Sequence, residues 1–228
     1  MPRSEGRGVS SYQHITRGLL AGLLAFCWEA PAQDIEELFR AVQASRTEAA
    51  QALLDQYPEL SKAGDRRGHT ALLRAAYLKR NDLANLLVAR GADVNQATTR
   101  GTTPLHAASY AGASEIVRLL LANQAQVDRL DAGGRSPLHW AAWRGFSDIV
   151  ESLLSQAPST LVNQRDSIGQ SALHMAARSG QAVVVEQLLQ KGAQPGLVDR
   201  QNRTPLDLCR EGKHGHWEAV EKLLQAQP

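Results

Sequence analysis

The chain repeats itself with a period of about 33 residues. Gly68, Gly101 and Gly134 are evenly spaced at this period, Gly169 continues the series after a two-residue insertion, and Asn202 takes the glycine place one period further on. Such a period is typical of solenoids, in which each unit is a small helical hairpin that buries its apolar face only against its neighbours. The repeat therefore predicts a stack of similar layers rather than a domain with one central core.

A similar four-residue segment begins two residues after each repeat start. The segments are Thr70-Ala71-Leu72-Leu73, Thr103-Pro104-Leu105-His106, Ser136-Pro137-Leu138-His139, Ser171-Ala172-Leu173-His174 and Thr204-Pro205-Leu206-Asp207. The hydroxyl residue can cap a helix, and proline in the first helical turn lacks only a donor that would have no intrahelical partner. This pattern resembles the T-P-L-H-x-A signature of ankyrin repeats, over about residues 34 to 228. The resemblance implies an all-α ankyrin-repeat solenoid of stacked helix-turn-helix pairs with short β-hairpin fingers.

The rest of each repeat agrees with that fold. Small residue pairs, which let helices approach closely, stand at Ala75-Ala76, Ala108-Ser109, Ala141-Ala142 and Ala176-Ala177. Aspartates three positions before a repeat start, as in a type I turn, are Asp65, Asp131, Asp166 and Asp199. Asn202 can replace glycine because asparagine tolerates a positive φ angle better than most residues.

The two ends depart from the repeat pattern, as terminal caps do. Asp34 with Glu37 resembles a capping box that would start the first helix. We predict six helix pairs, of which two are caps. The predicted segments are a signal peptide at 1–32, an N-terminal capping repeat at 33–67, ankyrin repeats at 68–100, 101–133, 134–168 and 169–201, and a C-terminal capping repeat at 202–228.

The N-terminal segment has the three parts of a secretory signal peptide. Arginines at positions 3, 7 and 17 precede an apolar run from Gly18 to Trp28, and Ala30-Pro31-Ala32 ends the segment with small residues. This predicts cleavage between Ala32 and Gln33 and export to a bacterial periplasm. The run has 11 residues, whereas a bilayer span takes about 20, so we expect no stable membrane insertion. The alternatives are a lipid anchor through Cys27 and a cytoplasmic protein whose N-terminus is an ordinary extension.

Charge and motifs give no indication of catalysis or of nucleic acid binding. Removal of residues 1–32 leaves 22 basic and 21 acidic residues, and a nucleic-acid-binding protein usually has a stronger basic excess. His106, His139 and His174 occur once per layer. Packed helices lie about 8–10 Å apart, whereas each zinc ligand must lie about 2 Å from the ion, so these histidines cannot bind one zinc ion together. The resemblance implies that each imidazole bonds locally at its repeat start.

A second candidate cluster lies near the C-terminus, where His214 and His216 follow Asp207 and Cys209. Its spacing matches no tetrahedral site with a second pair of ligands, so we interpret it as a solvated loop. Cys209 occupies an alanine place and is predicted to be a buried core residue. We expect neither a metal nor a cofactor.

The candidate binding residues lie at two positions of the first helices. Nine residues after each repeat start stand Tyr77, Tyr110, Trp143 and Arg178, and six residues after it stand Arg74, Ala107, Trp140 and Met175. The resemblance implies that both positions face a concave groove, with Arg144 at its border. Tyr, Trp and Arg have the composition of binding hot spots. Alternatively, Trp140 and Trp143 only cover seams between repeats. Secondary candidates in the fingers are Arg100, Arg129, Leu130, Arg165, Ile168 and Arg200.

These features predict a monomeric, non-catalytic protein-binding module that acts as an exported adaptor and protects or inhibits a partner protein. Two narrower hypotheses are an immunity protein that neutralises a periplasmic enzyme toxin and a support factor for a periplasmic oxidative-stress enzyme such as a catalase. An enzyme is the least favoured reading, since no nucleophile elbow, phosphate-binding loop or zinc-protease helix motif is present.

Export is directly testable. Mass spectrometry of the protein from its native source should find a chain that starts at Gln33, because Ala30 and Ala32 occupy the two positions that a signal peptidase reads. Recovery of the intact Met1 form from the cytoplasm would refute the periplasmic assignment.

Overall fold

The part of the chain that the structure describes folds into six consecutive helix pairs. The computed structural model describes residues 32–158, 160–212 and 215–226, so the predicted signal peptide lies outside the described residues, apart from Ala32. The helices in this part of the chain are α1 (Ala32–Gln43), α2 (Thr47–Gln56), α3 (Ala71–Tyr77), α4 (Asn81–Ala89), α5 (Pro104–Ala111), α6 (Ser114–Ala122), α7 (Pro137–Arg144), α8 (Ser147–Gln156), α9 (Ala172–Arg178), α10 (Ala182–Gln190), α11 (Pro205–Gly212) and α12 (Trp217–Gln225). Short 3-10 turns occupy Pro58–Ser61 and Leu161–Asn163.

The helix pairs stack in sequence order. The first helices form one row, in which α1, α3, α5, α7, α9 and α11 each pack against the next, and the second helices form a parallel row from α2 to α12. The predicted all-α solenoid is therefore confirmed. Within the described residues, no helix combines the length and the apolarity that crossing a membrane requires.

The core runs the length of the stack. Its members come from both helix rows, and the small residue pairs at the centre of the first helices are fully or almost fully buried. At the N-terminal end, Leu38, Phe39 and Val42 of α1 cover the first full repeat. Cys209 is fully buried, as predicted, and its Sγ lies 3.3 Å from the carbonyl oxygen of Trp217. Burial raises the pKa of this thiol, which makes it a poor nucleophile.

The start of α1 differs from the sequence prediction. The helix already includes Ala32 and Gln33, so Asp34 lies in its first turn and is not the N-cap. Alanine and glutamine are good helix formers, and neither ends the helix before Asp34. A carboxylate in the first turn still stabilises the helix through the macrodipole. The predicted cleavage site between Ala32 and Gln33 thus falls at the first residues of α1.

Hydroxyl side chains cap the N-termini of the first helices of the central repeats, as predicted. Thr70 Oγ1 accepts the Leu73 N–H at 3.1 Å, and Thr103 Oγ1 accepts the His106 N–H at 3.4 Å. Thr103, Ser136 and Ser171 each form a reciprocal capping box with the histidine three residues later. This box uses an imidazole where a glutamate or glutamine is more usual.

The three histidines do more than the sequence indicates. Each Nδ1 accepts the backbone N–H of its cap residue at 3.1–3.2 Å. Since Nδ1 accepts, Nε2 carries the proton of the neutral ring, and it donates to a carbonyl oxygen in the finger of the next repeat. The partners are Arg135 O for His106, Gln170 O for His139 and Arg203 O for His174, at 3.0–3.2 Å. Each imidazole therefore connects two layers.

The first to fifth fingers are the tight hairpin turns around Gly68, Gly101, Gly134, Gly169 and Asn202. They also bond to one another. In each, the residue at the repeat start donates its N–H to the carbonyl oxygen three residues earlier, and Asn202 takes the expected positive φ of 60°. Thr98 replaces aspartate in the second finger, and its Oγ1 accepts the N–H groups of Arg100 and Thr102. Bonds between neighbouring fingers join Thr99 N to Arg67 O, Ala132 N to Arg100 O, Ser167 N to Gly133 O and Arg200 N to Ile168 O. This spacing leaves no room for a side chain at Gly101, whose φ is +73° and where a Cβ atom would lie 2.9 Å from Leu130 O.

Acid should destabilise the fold because buried imidazoles must take up protons on unfolding. Burial lowers the pKa values of His106 and His174, and that of His139 to about 4, against about 6.5 in an unfolded chain. The folded state then binds fewer protons than the unfolded state. The stability that neutral His139 contributes is therefore complete above about pH 6.5 and is lost as the pH falls toward about 4.

His139→Gln should lower stability near neutral pH and make its pH dependence shallower, by at most about 1.4 kcal/mol per pH unit. Urea unfolding at a series of pH values across this window measures both effects. His216→Gln, which changes an exposed histidine, is the matched control and should keep the parent stability at neutral pH. A parent whose unfolding midpoint does not change across the window would contradict the assignment.

Candidate functional site

Four aromatic side chains form a continuous row across three layers. Tyr77 on α3 stacks on Tyr110 on α5 with ring centroids 5.9 Å apart and planes 7° apart. The Tyr110 ring lies 5.5 Å from Trp140 and 6.0 Å from Trp143, both on α7, and the two indoles are 5.8 Å apart. We call Tyr77, Tyr110, Trp140 and Trp143 the aromatic row. The sequence predicted that these residues share one surface, and the ring contacts join them into one unit.

The aromatic row contains both seam-covering and exposed members. Trp140 is half-buried, and its Nε1 donates to Asp131 Oδ2 at 3.0 Å. Tyr77 and Trp143 keep 53% and 39% of their surface exposed. The seam-covering interpretation thus describes Trp140 well, whereas Tyr77 and Trp143 retain open surface for contact.

Arginines lie over the rings of this region. Arg144 is exposed, and its guanidinium carbon is 5.2 Å from the Tyr110 centroid and 5.9 Å from that of Trp143. Arg135 covers Trp140 at 4.7 Å. These distances allow cation–π attraction, which holds long side chains in place beside the aromatic row.

Arg74 marks the N-terminal end of the same surface. Its guanidinium carbon lies 4.0 Å above the Phe39 ring of α1, and its Nη2 is 3.2 Å from Asp65 Oδ2. Burial tends to raise the pKa of Asp65, but N–H donors from His69 and Arg67 outweigh it and lower the pKa to about 2. Arg74 therefore lies beside a carboxylate that stays ionised at neutral pH.

The two candidate residues on α9 differ in exposure. Arg178 is exposed at the C-terminal end of the helix. Met175 is buried, with 9% of its surface exposed, because α9 is packed between α7 and α11. The prediction that Met175 offers a contact surface needs correction, because little of its side chain can reach a partner.

A groove of about 650 Å³ lies between the first helices and the fingers. Tyr77, Tyr110 and Trp140 contribute aromatic surface to its lining, whereas Phe39 of α1, which is 2% exposed, lies beneath the Arg74 guanidinium. Arg67 and Arg100 line it from the first two fingers. Sequence analysis missed Phe39 and Arg67. The signal for Arg67 was available, since it and Arg100 each stand one residue before a repeat start.

The secondary candidates in the fingers divide into free and engaged side chains. Arg100, Arg129 and Arg200 are exposed, and so are Leu130 and Ile168, at 42% and 47%. Arg165 instead donates to the carbonyl oxygens of Gly169 and Val198. It ties the fourth finger to the loop before the fifth, which leaves it less free to contact a partner.

The candidate metal ligands that the structure describes do not come together. Within the described residues, no group of three or more His, Cys, Asp or Glu side chains could hold a metal ion. The Asp207 carboxylate accepts the Thr204 N–H at 2.8 Å at the start of α11, and this hydrogen bond lowers the pKa of Asp207. Cys209, on the same helix, is fully buried. His216 is exposed before α12, and His214 lies outside the described residues.

Comparison with known families agrees with the architecture. A sequence model of the family described as ankyrin repeats (3 copies) matches residues 82–166 and 157–228. These matches cover more than half of the chain, and the chain belongs to the ankyrin-repeat family. A search of curated proteins found no match. Members of this family generally act as protein–protein interaction modules.

Folding should need neither a metal nor a disulfide, because the rings of His106, His139 and His174 are bonded to backbone groups and Cys209 is buried as a free thiol. We expect EDTA and a reductant to leave the helical circular dichroism and the thermal midpoint of the Gln33–Pro228 chain unchanged. A large fall in the midpoint with EDTA would show that a metal contributes to stability. A fall with reductant would indicate a disulfide.

Proposed function

We propose that this protein is a non-catalytic binding module whose partner protein contacts the groove and the aromatic row. The observation that carries the proposal is the open surface of Tyr77 and Trp143 within a row of contacting rings. Aromatic residues and arginine are enriched among the residues that dominate binding energy at protein interfaces. A repeat stack presents such a row on an extended surface, as solenoid proteins commonly do.

The aromatic row is prearranged for contact. Tyr110 touches three other rings, and the Arg144 guanidinium lies over it, so its side chain loses little further freedom on binding. Ordering a flexible side chain at an interface costs about 0.5–1.5 kcal/mol. A surface that is already ordered avoids much of that cost. The same contacts give the row a defined shape that a partner can match.

We further propose that the protein acts after export, as a periplasmic adaptor that protects or inhibits its partner. Support comes from the N-terminal sequence, where a basic region, an apolar run and the Ala30-Pro31-Ala32 segment follow the order of a signal peptide. An immunity role and a role in supporting an oxidative-stress enzyme would both use the same groove. A toxin gene beside this gene would favour the first, and a redox-enzyme gene the second.

The groove assignment predicts that Trp143→Ala will weaken partner binding at least tenfold while the protein stays folded. Loss of a central aromatic side chain often costs about 2 kcal/mol, or roughly thirtyfold in affinity. Trp140→Ala should weaken binding as well, and it should also lower stability because it removes the hydrogen bond to Asp131. Affinity for the partner recovered from the exported fraction, measured by calorimetry, tests this, with thermal unfolding recorded for each variant.

Two control variants separate the groove from other surfaces. Val183→Ala removes an apolar side chain that is 61% exposed on α10, in the second row of helices. Arg129→Ala changes an exposed finger residue outside the groove lining. Both should bind more tightly than the Trp143 variant. If the folded Trp140 and Trp143 variants both bind as tightly as the parent, the groove and the aromatic row are not the interface.

A further inference from the structure

One position of the fingers carries positive charge only in the first two repeats. The residue before the repeat start is Arg67 in the first finger and Arg100 in the second. The same position holds Gly133, Ile168 and Gln201 in the next three fingers. At this position the stack therefore changes from cationic to neutral, and the two arginines line the groove.

Neither arginine of this pair is neutralised by a neighbour. Both side chains are exposed, and neither guanidinium makes a hydrogen bond or an ion pair with another described residue. Their backbones are held instead, since Arg67 O and Arg100 O accept the bonds from the following fingers. The two guanidinium groups are therefore attached to turns whose backbone is hydrogen-bonded, and they remain available to bind a ligand.

The carboxylates near Arg67 and Arg100 already accept hydrogen bonds from other groups. Asp65 accepts the N–H groups of Arg67 and His69 and pairs with Arg74. Asp131 accepts the N–H groups of Gly133 and Arg135 through Oδ1 and that of Trp140 through Oδ2. These aspartates shape the turns and the groove floor. The charge that remains on the open side of this end of the groove is positive.

Beside this charge lies an aromatic floor. Tyr77 and Tyr110 line the groove with their rings stacked on each other. Beyond the groove lining, the aromatic row continues past Trp140 to the exposed Trp143, and Ile168 is exposed in the fourth finger. The unpaired guanidinium groups of Arg67 and Arg100 therefore line the same groove as the two stacked tyrosine rings.

We propose that the groove binds an extended, acidic segment of the partner protein. Two or more of its carboxylates would pair with Arg67 and Arg100, and an aromatic or long aliphatic side chain would lie on Tyr77 and Tyr110. This inference depends on the proposed function and specifies the chemistry of the partner at that site. Arginine suits the role because its planar guanidinium binds a carboxylate in a bidentate manner.

Charge complementarity selects this occupant over the N-terminal segment of the chain itself. Residues 1–31 carry three arginines and two glutamates, so this segment has a net positive charge and does not complement Arg67 and Arg100. An acidic partner segment does not meet this repulsion.

A random peptide display library, selected on the Gln33–Pro228 chain, tests the proposal even while the partner is unidentified. Peptides of about twelve residues span about 40 Å when extended, enough to cross several layers. We expect the selected peptides to be enriched in Asp and Glu beside an aromatic or aliphatic residue. Their affinity should fall several-fold at high salt, since exposed charges are screened.

Matched variants then locate the contact. Arg67→Ala and Arg100→Ala should each weaken the selected peptides about tenfold, whereas Arg200→Ala, an exposed arginine of the fifth finger, should have little effect. Arg67→Glu with Arg100→Glu should abolish binding, and peptides with Lys in place of Glu should restore it. A merely structural role for these arginines would not produce this charge exchange.

The other outcomes separate the two proposals. Some selected peptides could lose affinity with Trp143→Ala but not with Arg67→Ala or Arg100→Ala. This result would overturn the proposal of an acidic segment, and the aromatic row would remain the proposed interface. Peptides that are insensitive to all three substitutions would overturn both proposals. Failure to select any peptide, or complete displacement of the peptides by millimolar inorganic phosphate, would overturn the extended acidic segment, and the native-partner test of Trp143→Ala would still judge the groove.

Discussion

The hydrogen bond from each buried histidine to the next finger sets the relation between neighbouring layers. Its Nδ1 is committed to the cap of its own helix, so the neutral ring carries its proton on Nε2, which points to a carbonyl oxygen in the following repeat. His139 is fully buried, and an unpaired polar group there would be costly. The repeat start, the first helix and the next finger therefore hold one arrangement, on which the groove geometry depends.

This arrangement explains how side chains from separate repeats form one surface. The first helices bring side chains from successive layers to one face, and the fingers form a wall beside them. Tyr77, Tyr110 and Trp143 come from three different layers, yet their rings touch in one row. Their contact requires the layers to be in register. The groove is thus a property of the stack and of no single repeat.

The fingers divide their charged residues between two tasks. Aspartates turn inward and accept backbone N–H groups, which stabilises the turns, while Arg67 and Arg100 face outward beside the groove. The chain has nearly equal numbers of acidic and basic residues, but this division gives one end of the groove a positive character. Net charge alone would not have indicated it, because composition does not record which charges are already paired.

The sequence by itself determined the fold, since a regular repeat of about 33 residues with a hydroxyl cap, a small residue pair and a turn aspartate is typical of a stack of helical pairs. It also placed Tyr77, Tyr110, Trp140 and Trp143 on one face, because their register repeats. Tertiary structure decided the rest. The burial of Met175, the pairing of His139 with Gln170 O and the place of Phe39 in the groove all depend on how one layer packs against the next. Contacts between layers join residues about 30 positions apart, and a periodic pattern specifies which positions are equivalent but not what each side chain meets across the interface.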